Sequence, residues 1–398
     1  MISMNYDQML EYLYSLKIFG MKLNLDRIEK ALEIFGNPHR DLKCIHITGS
    51  NGKGSVTAMI TKILSLAGYR AGMFTSPHLV DLRERIRIND DLISKEDLLR
   101  IFNVCHERLK KINLELTYFE FLTLMAFIYF KEKKVDYAVL EVGIGGTYDS
   151  TNVVNSIVSI ITNVSLEHTD ILGDSIEKIA KDKAGIIKPN SFVVTSAEEP
   201  ALGIIKERAK EKNCKLIIAK KINLSLNLRG EFQKLNAGCA YEACKYLKID
   251  EKYIKEGLRK VEWPGRLQYL EDNILLDSAH NPAAMGVLRN YLNNLKYKRL
   301  IVVFSVSGKR DYKLMLKELE PYDTLIFTKS HIWRAIDPDA IDIDCIKFKD
   351  PVEAFNHAKS IADPEDLILV TGSIYLVGNI LEFVTNKEIL VKYESMNF

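Results

Sequence analysis

The residues Thr48-Gly49-Ser50-Asn51-Gly52-Lys53-Gly54-Ser55 stand between a β-branched run at 43–48 and a helical pattern at 56–67. Glycine lets consecutive backbone N–H groups converge on one anion, the start of the next helix adds favourable potential, and Lys53 supplies a point charge. That combination predicts a cradle for polyphosphate. The match to G-x-x-x-x-G-K-[ST] is not strict, because Ile47 takes the first glycine position and Gly54 the hydroxyl position. Ser55 is the local hydroxyl suited to a metal ion. The competing reading is a glycine-rich turn carrying a solvated lysine.

Glu141 closes the run 135–142 and precedes Gly143-Ile144-Gly145-Gly146. A carboxylate at the carboxyl end of a parallel strand faces the crevice where ligands bind, and magnesium prefers oxygen ligands. Glu141 is therefore a candidate metal ligand, against the plainer reading of an edge glutamate before a loose loop. His168, within Leu166-Glu167-His168-Thr169-Asp170, follows a second strand at 157–162 whose end should open on the same crevice. By its spacing it is either catalytic or an ordinary partly buried histidine. The lysines of Lys181-Asp182-Lys183-Ala184-Gly185-Ile186-Ile187-Lys188 read equally as neighbours of that crevice or as a solvated helix face.

Such residues need a mainly parallel sheet to gather them, and the chain alternates short β-branched runs with longer helical patterns as βαβ units do. Strands are expected at 43–48, 69–75, 135–142, 157–162, 191–195 and 215–219, with helices at 56–67, around 121–128, and at 174–184, 201–212 and 233–247. Residues 220–232 fit neither period. The pattern breaks at Trp263-Pro264-Gly265, where proline removes a donor and glycine allows a sharp turn. Beyond it, 267–270 and 274–276 can pair across Asp272-Asn273. Strands at 300–305, 324–328 and 367–370 then alternate with helices near 282–294, 311–319, 351–359 and 374–385. The expected architecture is α/β: a P-loop nucleotide-binding domain over 1–263 with a mainly parallel sheet, then a smaller Rossmann-like domain over 264–398. A cleft between two such domains would bring substrates together and exclude water on closure.

A chain of 398 residues exceeds one ordinary core, which suits this division. Fifty-five Lys and Arg nearly cancel 53 Asp and Glu, leaving +2 and no cationic footprint for nucleic acid. No apolar run reaches membrane-spanning length, and no cationic segment leads into an apolar one at the start. Six scattered cysteines without C-x-x-C spacing read as reduced core residues. A cytoplasmic enzyme is expected, with neither nucleic-acid nor membrane partners, working as a monomer.

Together the segments resemble the folylpolyglutamate synthase and dihydrofolate synthase family of the Mur ligase superfamily. HITGSNGKGS at 46–55 is similar to its phosphate loop, TSPHLVDLRERIRIN at 75–89 to its Ω loop, TYFEFLT at 117–123 to its folate-side segment, and EVGIGGTYDSTN at 141–152 to its metal loop. The order continues through LEHTDILGDSIEKIAKDKAGIIKP at 166–189, GRL at 265–267, DSAHNPAAM at 277–285 and VTGSIYLVG at 370–378. The resemblance implies that Lys53, with Gly49, Asn51, Gly52, Gly54 and Ser55, holds the phosphates of ATP. Ser76, Glu141 and His168 would surround magnesium. Lys183 corresponds to a lysine that the family carbamylates, which would turn a cation into an anionic oxygen ligand bridging to a second magnesium. Asn236, Arg266 and Asp277 correspond to ATP contacts. Pro77, Thr117 and Phe119 belong to the folate side, and His280 to the incoming glutamate.

The implied activity is ATP-dependent ligation. A carboxylate of a folate becomes an acyl phosphate, and L-glutamate displaces phosphate to leave an amide and ADP. Dihydropteroate glutamylation is a related or additional activity, and a Mur-type ligase for another carboxylate is more distant. A P-loop hydrolase or kinase would release or transfer phosphate without forming an amide, and a regulatory nucleotide-binding module would show no turnover. Two departures stand out. Thr147 and Tyr148 occupy positions where the family commonly has arginine and leucine, and Lys309-Arg310-Asp311 alters an acidic-basic-acidic order. The stretch from 219 to Gly230 is also short for the family.

Overall fold

The fold is described from a computed structural model covering residues 4–16, 24–308 and 310–385. Lys309 of the altered Lys309-Arg310-Asp311 segment lies outside the described residues. The chain divides into two compact units. The first takes the described residues within Met1–Pro77, Leu82–Asn227 and Gln233–Glu262. The second takes His78–Asp81, Leu228–Phe232 and the described residues from Trp263 onward.

In the first unit the strands are β1 (Cys44–Thr48), β2 (Ala71–Phe74), β3 (Ile86–Ile88), β4 (Asp91–Leu92), β5 (Tyr137–Glu141), β6 (Ser156–Ile161), β7 (Phe192–Thr195) and β8 (Lys215–Ile218). They form one sheet in the order β4-β3-β2-β5-β1-β6-β7-β8. From β2 to β8 neighbours run parallel, while β3 and β4 pair antiparallel at one edge. β1 is buried along its whole length, as a parallel strand covered on both faces must be. Its register sets Ile47 opposite Glu141 on one side and Thr48 opposite Ile161 on the other. The carboxyl ends of β5, β1 and β6 therefore lie side by side.

The helix after β1 spans Lys53–Leu66 and starts three residues earlier than its apolar pattern suggests. Gly52, with φ of 87°, turns the chain into the helix, so Lys53 lies in its first turn. Among the described residues five α-helices go beyond the expected series: Tyr6–Ser15, Asp26–Ile34, Lys95–Lys111, the short Thr169–Leu172 and Glu251–Lys260. Lys95–Lys111 buries Leu98, Ile101, Phe102, Cys105 and Leu109, a helical stripe within an otherwise charged segment. All six cysteines are free thiols, four of them buried and Cys214 and Cys345 only partly so.

The second unit contains β9 (Gln268–Glu271), β10 (Ile274–Leu276), β11 (Leu300–Phe304), β12 (Thr324–Thr328), β13 (Ile346–Phe348) and β14 (Leu367–Thr371), in sheet order β13-β12-β11-β14-β10-β9. β9 and β10 make an antiparallel hairpin and the other pairs are parallel. Period-two alternation divides its apolar residues between two faces. Val302, Phe304 and Leu369 pack with Met285, Leu288 and Met315. Ile301, Val303, Ile368 and Val370 pack with Phe355, Val377 and Ile380. Among the described residues no helix is long and apolar enough to cross a membrane.

Candidate active site

The loop from Gly49 to Ser55 is fixed by what a side chain would meet there. A Cβ on Gly49, whose φ is 145°, would run into Thr162 Oγ1, and one on Gly52 would run into Asn236 Oδ1. Ser50 N donates to Asn163 O at 2.9 Å, and Asn51 N to Asn163 Oδ1 at 2.8 Å. Ser165 N donates to Ser50 Oγ at 2.9 Å. The loop after β1 is thus sewn to the loop after β6. Lys53 Nζ donates to Gly49 O at 2.7 Å and lies over the loop it follows. Buried Gln233 donates to Ser55 Oγ at 3.3 Å and accepts from Asn236 Nδ2 at 2.9 Å. A helix that begins nearly 180 residues later in sequence therefore braces the start of the Lys53–Leu66 helix. Backbone N–H groups, a helix N-terminus and an amine on one loop are what an oligophosphate requires.

Beside this loop Glu141 ends β5, buried, and its Oε2 accepts from Ser76 N at 3.1 Å. Ser76 follows β2, the parallel neighbour of β5, so strand pairing explains how residues 65 positions apart meet. Thr48 Oγ1 donates to Gly145 O at 2.6 Å, tying the segment after Glu141 to the last residue of β1. Gly146 passes so close to the next segment that a Cβ would come within 2.9 Å of Lys183 Cα. Thr147 N and Oγ1 both donate to Asp182 O, at 3.1 and 2.8 Å. The residue that departs from the family's arginine here closes a backbone junction.

Lys183 is not on a solvated helix face. It is 1% exposed, and its Nζ lies 2.7 Å from Glu167 Oε1, also buried. Burial opposes the Glu167 charge, yet Lys183 and then Lys53 hold its carboxyl down to about 2. Burial also pushes the Lys183 amine below its ordinary range, while Glu167 pulls it back up. The two directions compete, and the ionised carboxylate prevails because it faces two ammonium groups. His168, next to Glu167, takes φ of 46° and starts the short helix Thr169–Leu172. The ends of β1, β5 and β6 thus gather Lys53, Glu141, Glu167, His168 and Lys183 into one neighbourhood of the first unit.

Among the described residues no three His, Cys, Asp or Glu side chains converge to hold a metal ion by themselves. Buried Glu141 beside the hydroxyl-bearing Ser76 turn offers oxygen donors of the kind magnesium takes, and magnesium keeps several waters besides. On the folate side of the expected site, Phe119 lies against Gly143 and stacks on Phe74 at 5.5 Å between centroids. Thr117 plays a structural part, since its Oγ1 accepts from Glu120 N and its N donates to Glu120 Oε2, a capping box for Tyr118–Glu132. Pro77 follows Ser76 and ends the first segment of this unit.

Within the second unit, Asp277 accepts from Leu267 N at 3.0 Å and Ala279 N at 2.9 Å. Burial raises its carboxyl and nearby Arg266 counters. His280 Nδ1 lies 2.9 Å from Ser278 O, an acceptor only, so that nitrogen donates. Asn281 caps Pro282–Leu292 by accepting from Ala284 N at 2.8 Å. Arg266, Asp277 and His280 therefore stand on two adjoining turns of that unit. Glu167, Gln233 and Asn163 were missed in the sequence. Glu167 sat beside the chosen His168, but only the tertiary contact reveals its partner.

The Mur ligase middle domain profile matches residues 47–246, and the profile for the Mur ligase glutamate ligase domain matches 265–374. A Bacillus subtilis protein named dihydrofolate synthase/folylpolyglutamate synthase is 31% identical, covering 91% of this chain and 95% of its own. A Haloferax volcanii protein, "Probable bifunctional folylpolyglutamate synthase/dihydropteroate synthase", is 31% identical over 94% of this chain. The chain spans only 50% of that longer relative. Among solved structures, Escherichia coli FolC in complex with DHPP and ADP superposes with a TM-score of 0.90 at 26% identity, covering 97% and 99% of the two chains. The bifunctional folylpolyglutamate synthase/dihydrofolate synthase from Yersinia pestis, complexed with AMPPNP and Mn ion, gives 0.87 at 28% identity, covering 96% and 98%. With two family profiles in order and relatives matched over nearly its whole length, the chain belongs to the Mur ligase family, among its folylpolyglutamate synthase and dihydrofolate synthase members.

Proposed function

We propose that this chain joins L-glutamate to the terminal carboxylate of a folate at the expense of ATP, releasing ADP and phosphate. One observation carries the reading. The phosphate loop is tied directly to the segments bearing Glu141 and Glu167–His168, at the ends of three adjacent parallel strands. Lys53 and the backbone of Gly52 to Ser55 hold the phosphates, flanked by Gly49 and Asn51, with Asn236 bracing Gly52. Ser76, Glu141 and His168 hold magnesium, which when bound offsets charge on the transferring phosphoryl group. Arg266 and Asp277 serve the nucleotide, and His280 the incoming glutamate. Pro77, Thr117 and Phe119 line the folate side. In this division residues 1–263 carry the phosphate loop and the folate side, and 264–398 carry glutamate ligation together with the nucleotide contacts of Arg266 and Asp277.

The folate carboxylate attacks the γ-phosphorus and ADP leaves with the bridging oxygen. The glutamate amine then attacks the acyl carbon, and phosphate departs as the amide forms. A second ion and a carbamylated Lys183 belong to this reading. Carbamylation would replace the ammonium facing Glu167 with an anion, so the present pair must separate when it occurs. A ¹³C carbamate resonance from labelled bicarbonate, lost in Lys183→Arg, checks it. Cytoplasmic operation as a monomer completes the proposal.

Dihydropteroate as acceptor is a second reading, favoured by the double name of the Bacillus subtilis relative and by DHPP in the Escherichia coli complex. The deciding experiment supplies ATP, magnesium and glutamate with dihydropteroate, tetrahydrofolate or folate monoglutamate. Gain of one glutamyl unit identifies the acceptor, and phosphate release without an amide defeats ligation.

A further inference from the structure

Two residues before the last position of β1, His46 lies fully buried, its Nε2 2.8 Å from Thr151 Oγ1. The Thr151 hydroxyl has one proton, and its oxygen lies 2.5 Å from Asp149 Oδ1. Burial raises the Asp149 carboxyl and hydrogen bonds from Thr151, Ile144 and Gly143 oppose it; with both of its oxygens already accepting backbone N–H groups, the hydroxyl donates to Asp149 and accepts from His46. Among the described residues His46 Nδ1 has no hydrogen-bond partner, and a proton there would be buried without an acceptor. Both arguments assign the same neutral tautomer, with the proton on Nε2.

The chain of donors continues to the metal side of the site. Asp149 Oδ1 also accepts from Thr151 N at 3.0 Å, while Oδ2 accepts from Gly143 N at 3.0 Å and Ile144 N at 3.1 Å. Those two amides begin two residues after Glu141. His46 and Thr48 project to the same face of β1, since side chains two apart share a face. Thr48 Oγ1 holds Gly145 O of the same turn. One strand thus grips the segment after Glu141 twice and continues immediately into the phosphate loop.

We infer that His46 is a positioning residue for the metal side of the site, acting through Thr151 and Asp149 on the 143–146 turn to fix Glu141 relative to the phosphate loop. The inference rests on Glu141 serving a metal ion, as proposed above. His46 touches neither nucleotide nor metal in this role. It supplies a single N–H that keeps the Thr151 hydroxyl directed at Asp149.

The test uses the full chain saturated with ADP and follows Mn²⁺ binding by electron paramagnetic resonance, alongside binding of ADP in EDTA and thermal unfolding. His46→Leu and Thr151→Val should each weaken Mn²⁺ binding about tenfold, the effect typical of removing an outer partner of a metal site. ADP binding in EDTA should stay within about twofold. His46→Gln and Thr151→Ser, which keep a donor and a hydroxyl, should recover most of the loss, and the double variant His46→Leu/Thr151→Val should be no weaker than either single one. If His46→Leu does not fold, Thr151→Val and Thr151→Ser decide alone. Unchanged Mn²⁺ affinity in a folded His46→Leu or Thr151→Val protein overturns the inference, as does equal loss in Thr151→Val and Thr151→Ser. Product analysis of the wild-type chain judges the ligase reading separately, because an absent glutamyl product leaves the metal-binding comparison intact.

Discussion

Lys53 places its ammonium over the carbonyls of its own loop, so an arriving phosphate chain meets a cation already held in position. Lys53→Ala should cut ATP-dependent turnover by about 10²–10³-fold, the scale of losing one preorganised donor to a transition-state charge. Unchanged acyl activation would remove Lys53 from the mechanism. Glu167 carries a different consequence. Glu167→Gln leaves Lys183 buried opposite a neutral amide, and breaking such a pair costs about 3–5 kcal/mol. Urea unfolding of the variant should show it, and a midpoint equal to wild type would mean that Lys183 finds another partner. His46 and His39 give a pH signature. Burial lowers them to about 3 and about 4 from an ordinary 6.5. Below pH 6.5 the unfolded chain takes up protons that the folded chain refuses, so stability falls as pH drops through the interval down to those folded values. Each histidine contributes a slope of at most roughly 1.4 kcal/mol per pH unit there. Unfolding midpoints from pH 7 to 4 should decline less steeply in His46→Gln, and an identical slope would contradict a buried neutral imidazole.

At the scale of elements, the Tyr118–Glu132 helix separates two possible roles of Thr117. Its hydroxyl and backbone complete a capping box with Glu120, whose carboxylate also accepts from Arg27 Nε at 3.2 Å. Thr117→Ala should cost about 1 kcal/mol of stability, with Thr117→Ser close to wild type. If the KM for folate rises in Thr117→Ala beyond what the stability loss explains, and recovers in Thr117→Ser, the hydroxyl also serves substrate. A stability change without a KM change assigns it to the helix alone. The turn into the Lys53–Leu66 helix shows the converse dependence, in which backbone conformation rather than a side chain sets the loop. Gly49 and Gly52 combine left-handed φ with contacts that leave no room for a Cβ, so neither position accepts alanine without moving the loop.

For the whole molecule, each unit has its own apolar interior. Phe304 is fully buried in the second unit among Leu275, Phe327 and Leu369. Phe304→Ala should destabilise that unit by about 3–5 kcal/mol through lost transfer energy and a residual cavity. Calorimetry should then show one transition moved down in temperature and another held, because two-state behaviour is not expected of two cores. A single transition that shifts as a whole would show that the units unfold together.

Local pattern was enough to read the alternation of strands and helices, the hairpin at 267–276, the glycine-rich turn between 43–48 and the next helix, and the placement of Glu141 at a strand end, because turn chemistry and strand hydrophobicity act over a few neighbouring residues. It missed Lys95–Lys111, whose buried stripe is diluted by charge, and the Glu251–Lys260 helix. Sequence also offered Glu141 as a metal ligand from its strand end, and by resemblance Ser76 and His168 with it and Lys183 toward a second ion, yet gave no partner for any of them. Which side chains meet was decided by strand order: β5 beside β1 and β2 brings Ser76 to Glu141, and β6 beside β1 brings Asn163 and Ser165 to the phosphate loop. The Glu167–Lys183 pair and the His46–Thr151 contact belong to the same class. Hydrogen bonds and ion pairs form between atoms a few ångströms apart, whereas these partners lie from 16 to 115 positions apart along the chain, so only the folded backbone determines them.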